Sequence, residues 1–278
     1  MKKWNLIIDV AKCHDCNNCF LACKDEYFEN DLPPYSVAQP RNGHRWMDIL
    51  RKERGQFPKV DVAYLPYPCM HCDDAPCIRR TKAGAIYRRE DGIVIIDPEK
   101  AKGKKEIIDT CPYSVIYWNE EKQIPQKCTF CVHLLEEGWK EPRCVQACPT
   151  GALVVVHVED SEMDKFKKSE NLEVFHPEYK ANPRIYYKNL YGYTLCFIAG
   201  SIALKEKDEC AENTKVTLVH ESTKKTGVTT TNNYGDFKFD KLEENSGKYR
   251  VEVEYPGYGK QTRVIELKTS INIGTIFL

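Results

Sequence analysis

The sequence predicts an α+β protein in two parts, a duplicated first part organised by cysteines and an all-β, seven-stranded sandwich behind it. Twelve of the fourteen cysteines lie between Cys13 and Cys148 and fall into four spaced groups. From about residue 191 the chain turns to short alternating or β-branched runs separated by turn residues. A length of 278 residues suffices for two domains, each with its own core.

Residues 1–12, MKKWNLIIDVAK, alternate enough to form an edge strand leading into the first cysteine group. That group, CHDCNNCFLAC, reads Cys13-x₂-Cys16-x₂-Cys19-x₃-Cys23. It is the bacterial ferredoxin run without the proline after its last member. A thiolate at every third residue lets a tight loop hold three corners of a cubane. The fourth, one helical turn on, belongs to the neighbouring cluster in two-cluster ferredoxins, so each run needs a partner run. The second group, CMHCDDAPC, reads Cys69-x₂-Cys72-x₄-Cys77, and Thr81 and Lys82 stand where a fourth cysteine and its proline belong, followed by AGA as if from CPTGA. GAIYRREDGIVIID (84–97) then predicts a hairpin about an Asp91-Gly92 turn. The third group, DPEKAKGKKEIIDTCPYS (97–114), keeps only Cys111 and Pro112; Ala101, Lys104 and Ile107 occupy the other three places. The fourth, Cys128-x₂-Cys131-x₁₂-Cys144-x₃-Cys148, ends in an intact Cys-Pro and continues into GALVVVHV (151–158), a repeated motif-plus-strand unit.

Exchanging the fourth cysteines between partner groups gives complete sets. Groups one and four yield Cys13, Cys16, Cys19 with Cys148, and Cys128, Cys131, Cys144 with Cys23. Groups two and three yield Cys69, Cys72, Cys77 with Cys111. The last set would need positions 81, 101, 104 and 107, where Thr81, Ala101, Lys104 and Ile107 stand. All four absences fall on one site, which random loss of cysteines would rarely achieve. The expectation is three [4Fe–4S] clusters held by twelve thiolates, one deleted cluster, and a duplicated bacterial-ferredoxin-like domain over residues 1–158. Lys102, Lys104 and Lys105 lie in or beside the deleted site, as counter-ions to the remaining clusters or as an ordinary solvated turn.

Other readings of the cysteines are weaker. Secreted disulfide scaffolds carry export signals, and the only apolar patch before Asp9 is too short for one. Zinc ribbons show two CxxC pairs a dozen or more residues apart, and they do not explain why the gaps of two groups fall on one site. No apolar run reaches the roughly 18–20 residues that span a bilayer. Forty-one basic and 41 acidic residues cancel, so the balance advertises neither nucleic acid nor an anionic membrane. The expected location is the cytoplasm.

Residues 159–190 are charged and helix-prone, then turn to NPRIYYKNLYG, and are expected to form a connecting arm lying on the surface. Residues 191–278 supply seven strand-like runs: YTLCFIAGSIAL, TKVTLVH, GVTTT, DFKFDKL, KYRVEVEY, QTRVIEL and INIGTIF. They contain no nucleophile with a base nearby and no glycine-rich phosphate loop, so a packing or docking module is expected, with His220 solvated and Cys196 and Cys210 structural. Tyr113, Tyr117 and Trp118 are either shields for the cluster at Cys111 or ordinary core aromatics.

GHRWMDILRKERGQFP, PCMHCDDAPC, REDGIVIIDPEK, CPYSVIYWN, QKCTFC and PRIYY, together with the four cysteine groups, resemble the iron–sulfur subunits of the dimethyl-sulfoxide-reductase family of molybdopterin oxidoreductases over about residues 1–190. Most members carry four clusters. The missing site and a C-terminal sandwich similar to transthyretin-like or collagen-adhesin B-type modules resemble most the small subunits of transhydroxylases acting on polyhydroxylated aromatics. The resemblance implies an anaerobic heterodimer with a large catalytic subunit that holds molybdenum or tungsten on two pyranopterins, and substrate that never touches this chain. It implies that the Cys13 cluster lies nearest that subunit and that the missing site is the end facing a membrane partner in respiratory members, so no membrane subunit is expected. Respiratory reductases or dehydrogenases, resorcinol hydroxylases and catechol dehydroxylases are the alternatives.

Overall fold

In the computed structural model, which describes residues 1–82 and 84–278, the first strand, β1 (Lys3–Asp9), is the centre of a sheet and not an edge. β2 (Met47–Gln56) and β3 (Lys59–Pro68) form a two-stranded sheet. β4 (Ile86–Arg88) pairs with β5 (Val94–Ile96), and β6 (Tyr117–Asn119) with β7 (Ile124–Gln126), as antiparallel hairpins. β8 (Leu153–Val158) lies antiparallel to β1 with Leu6 opposite Val155, and β9 (Ile185–Lys188) lies parallel on its other side with Leu6 opposite Ile185. Leu6 and Ile8, two residues apart on one face, are buried together with Ile185 and Tyr187. This corrects the reading of 159–190 as a surface arm: its end completes the sheet. Ala83, part of the AGA echo, lies outside the described residues.

The chain divides into two units, Met1–Leu50 with Tyr64–Leu190, and Arg51–Ala63 with Tyr191–Leu278. In the first, helices are short and placed by local chemistry. α1 (Asn18–Tyr27) buries Cys19, Cys23 and Tyr27, spaced four apart on one face. α2 (Pro76–Arg80) starts on a proline, as does α3 (Pro98–Ala101), where the Asp97 carboxylate accepts from the amides of Glu99 and Lys100 at 3.1 and 3.0 Å. α4 (Val132–Glu136) and α5 (Arg143–Gln146) carry the last cysteine group, and α6 (Asp160–Ser169) follows β8.

The second unit begins with β10 (Cys196–Leu204), to which β11 (Glu209–Cys210) pairs antiparallel. β12 (Lys215–His220), β13 (Thr226–Thr230), β14 (Asp236–Leu242), β15 (Gly247–Glu254), β16 (Gln261–Leu267) and β17 (Ile271–Phe277) follow. One four-stranded sheet joins β10 to β11, β14 and, in parallel, β17; the other runs β13-β12-β15-β16. Val216 and Leu218, Phe237 and Phe239, Val251 and Val253, and Ile265 and Leu267 alternate inward from both sheets into one core. The seven runs read from the sequence each hold a strand; the eighth, β11, is two residues long and has no periodicity to reveal it.

Two further differences concern polar groups. The distal part of the β2–β3 sheet belongs to this unit because the buried Arg54 guanidinium bonds the Leu195 carbonyl at 2.8 Å and the Asp240 carboxylate at 3.0 Å, while Asp61 takes the Lys238 ammonium. The run RKERGQFPKVD carries so many charges that no local pattern reveals its strands. His220 is half-buried and held by partners: its Nε2–H donates to the Ser246 carbonyl at 2.8 Å, and its ring meets Tyr249 edge-on.

Gly235, in the NNYGD turn, holds a left-handed φ of +73°, and a Cβ there would lie 2.3 Å from the Ile202 carbonyl oxygen. That oxygen belongs to backbone, which cannot swing aside. Gly235→Ala is expected to cost about 2 kcal/mol or more, read as a lower denaturation midpoint of the full chain. An unchanged midpoint would show that the turn re-forms without strain.

Candidate metal centres

Each cysteine loop turns through left-handed residues that let successive side chains face a common centre. Asp15 and Asn17 do so between Cys13 and Cys19, His71 between Cys69 and Cys72, and Phe130 with Cys131 itself in the fourth group. Asp, Asn and His tolerate this region; a Phe there is strained, and such strain gathers at ligand clamps.

Cys23, Cys128, Cys131 and Cys144 line one cavity with otherwise apolar walls that include Leu6, Tyr27, Met47 and Phe130. Burial, then the neighbouring thiols, pushes Cys23 and Cys144 well above the ordinary thiol range. Burial, then Cys69 and Cys131, pushes Cys128 up to about 12. Cys131 rises to about 11 by burial, held back by the Tyr27 hydroxyl and the Arg143 amide. Cys69, Cys72, Cys77 and Cys111 line a second cavity with Met70, Val94, Tyr113 and Lys127 on its walls. Burial, then Cys69, raises Cys72 beyond the usual range and Cys77 to about 12. Burial, then Cys69, raises Cys111, and the amides of Val115 and Tyr113 hold it back.

Cys13, Cys16, Cys19 and Cys148 form the third group, nearer the surface: Cys16 is exposed, Cys13 and Cys148 half-buried, Cys19 buried. Burial and then Cys13, Cys16 and Cys148 bring Cys19 to about 12. Burial would raise Cys148 too, but the Thr150 hydroxyl and the amides of Leu153, Thr150 and Ala152 hold it below the ordinary thiol value. The groups adjoin in series. Cys19 acts on Cys23 and Cys144, and Cys69 acts on Cys128, so the set of Cys23 stands between the other two.

Thiols crowded into apolar cavities are neutral and leave the void empty of anything to bond; a polynuclear cation deprotonates them and fills it. In the Cys23 and Cys69 sets the thiols line a space. Among the described residues no three His, Cys, Asp or Glu side chains come together to hold a single metal ion. The donor sets fit iron–sulfur clusters, and these twelve cysteines could hold them. Cys196 is buried in the second unit and Cys210 exposed there, apart from these sets.

At the four positions where a fourth set was expected to be missing, Ala101 and Ile107 are buried, Thr81 and Lys104 half-buried, and the Thr81 hydroxyl has no partner among the described residues. Lys102 is exposed, and Lys105 turns to Glu120 at 2.9 Å and to the Trp118 ring. Tyr113 lines the Cys111 cavity and meets Tyr179 edge-on; Tyr117 donates to the Arg45 carbonyl, at 2.9 Å. Two residues beside the cavities escaped sequence reasoning, Lys127 and His71. The only signal for them was their position next to a cysteine.

Fold and thiol sets define a class, a ferredoxin-like iron–sulfur protein with a β-rich module behind it. Residues 60–158 match the 4Fe-4S dicluster domain, and residues 198–273 the carboxypeptidase regulatory-like domain. Over 281 aligned residues covering all of both chains, the sequence is 46% identical to the pyrogallol hydroxytransferase small subunit of Pelobacter acidigallici. Over 192 residues, 68% of this chain and 73% of the relative, it is 31% identical to a tetrathionate reductase subunit of Salmonella typhimurium. It is 28% identical to the arsenate respiratory reductase iron–sulfur subunit of a Shewanella species, over 67% of this chain and 96% of that one. The chain belongs to the iron–sulfur electron-transfer subunits of the molybdopterin oxidoreductases.

Proposed function

We propose that this chain carries three [4Fe–4S] clusters as the electron-transfer subunit of a two-subunit cytoplasmic enzyme acting on polyhydroxylated aromatics. Its partner is a large catalytic subunit with molybdenum or tungsten on two pyranopterins. The observation that carries the reading is the gathering of twelve thiols into three adjoining sets, two of them around cavities. Cys13, Cys16, Cys19 and Cys148 hold the first cluster; Cys23, Cys128, Cys131 and Cys144 the second; Cys69, Cys72, Cys77 and Cys111 the third. Such clusters supply one-electron transfer at potentials set by burial, hydrogen bonds to sulfur and nearby charge. The chain's own part is to hold the thiolates, exclude water with Tyr27, Met47 and Phe130, and direct amides at sulfur, as Phe130 does at 3.3 Å from Cys128 Sγ.

The substrate class is supported by the whole-length similarity to the hydroxytransferase subunit, while the reductase subunits match about two thirds of the chain. A path that ends at the Cys69 set, with Ala101 and Ile107 packed where a fourth cluster would stand, suits an enzyme that needs no membrane quinol partner.

Anaerobic purification of the native complex tests this. About twelve iron and twelve acid-labile sulfide per chain are expected, three cubanes of four, with a molybdenum- or tungsten-containing partner active on pyrogallol. Dominant zinc would overturn the cluster reading. A partner with an export signal or membrane anchor would overturn the soluble aromatic-converting one.

A further inference from the structure

Lys127 is only 2% exposed, and lysines are almost never buried so deeply without an anionic partner. Among the described residues no carboxylate pairs with it. Its ammonium instead donates to two main-chain carbonyls, those of Val94 and, at 3.0 Å, Cys128. Val94 is gripped from both ends: its amide donates to His71 Nδ1 at 3.1 Å. That bond makes Nδ1 the acceptor, so the buried imidazole is the neutral tautomer with its proton on Nε2 and adds no charge. Lys127 lines the cavity of Cys69, Cys72, Cys77 and Cys111, and through the Cys128 carbonyl it abuts the cavity of Cys23, Cys128, Cys131 and Cys144.

A buried ammonium held by neutral carbonyls alone keeps much of its desolvation cost. The protein's own charges do not offset that cost; negative charge within the two adjoining cavities would. The other cations near the thiols differ. Lys24 is half-exposed, and Arg143 is tied to Glu26 at 3.2 Å. We propose that Lys127 is the fixed countercharge shared by the two inner centres, a positioning residue for charge that raises their reduction potentials relative to the centre at Cys13. The proposal rests on the three-cluster reading given above. Each reduction adds one negative charge to a centre beside the ammonium, so the reduced state gains more from it than the oxidised state.

The test is a redox titration followed by electron paramagnetic resonance on the full chain in its native complex, with iron counted in the same samples. Lys127→Met is expected to keep its iron and to move the Cys69 centre, and to a lesser degree the Cys23 centre, to lower potential. A tenfold change in the one-electron equilibrium, about 59 mV, is the expected scale at the former, with the Cys13 centre nearly unmoved. Lys127→Arg should stay near wild type. Where the methionine variant does not load, Lys127→Gln, which keeps a donor for the carbonyls without the charge, gives the reading. Unchanged potentials in an iron-replete uncharged variant, or an equal shift at all three centres, would overturn the proposal. Wild-type protein without clusters would instead overturn the cluster reading.

Discussion

Cys111→Ala is expected to remove one centre and leave two, lowering iron and sulfide from about twelve to about eight per chain. The residue looks dispensable in the sequence, a lone cysteine in a stretch that has lost three others. In the structure it lines the same cavity as Cys69, Cys72 and Cys77. Alanine would leave three thiols facing a mostly apolar cavity with no fourth donor. A cubane with three thiolates loses an iron readily, so a residual three-iron signal is an intermediate stage of the same loss. Iron analysis and electron paramagnetic resonance on anaerobic protein read the result. If the signal of the set held by Cys128 disappeared while that of Cys69 remained, the exchange of fourth cysteines between groups would be wrong for this chain.

The second large effect concerns Arg184, the arginine of PRIYY. Its side chain is 2% exposed; Nε donates to Asp73 at 2.9 Å, one terminal nitrogen to Asn5 Oδ1 at 3.1 Å, and the other to Asp160 at 3.0 Å and again to Asp73. Its main chain bonds Met70 and Leu6, so one residue ties the Cys69 loop to β1. Removing one member of a buried pair costs about 3–5 kcal/mol where the remaining charge stays buried. Asp73 and Asp160 are partly exposed and would rehydrate, but the buried Asn5 acceptor would not. Arg184→Met is therefore expected to cost about 3 kcal/mol, visible as a lower denaturation midpoint and faster loss of the Cys69 centre. Arg184→Lys should recover only part, because an ammonium cannot fork between Asp73 and Asn5. A cost below about 0.5 kcal/mol, the range of a neutral surface change, would remove the arginine from any structural role.

Much of this protein was legible because its chemistry is local. Three thiols in seven residues constrain a loop whatever surrounds it, and the run from Cys13 to Cys23 carries its fourth thiol to the next set simply by continuing into α1. The inward alternation of Val216 and Leu218 or of Val251 and Val253 likewise shows a strand before any partner is known. The hairpin from Gly84 to Asp97 was legible from its turn and its β-branched return.

The grouping of the cysteines, the identity of most strands and the class of the protein are therefore properties of residues near one another in the chain. The central place of β1, the completion of its sheet by residues 185–188, the membership of Arg51–Ala63 in the second unit and the burial of Lys127 and Arg184 emerge only when the chain folds. A strand's rank in its sheet depends on partners about 150 to 180 residues away, as Leu6 depends on Val155 and Ile185. Burial of a charged side chain depends in the same way on distant groups: the carbonyl of Val94 for Lys127, the side chains of Asn5 and Asp73 for Arg184. Lysine and arginine are ordinarily surface residues, so a local window assigns both to solvent; it is the closing of the fold around them that withdraws the water.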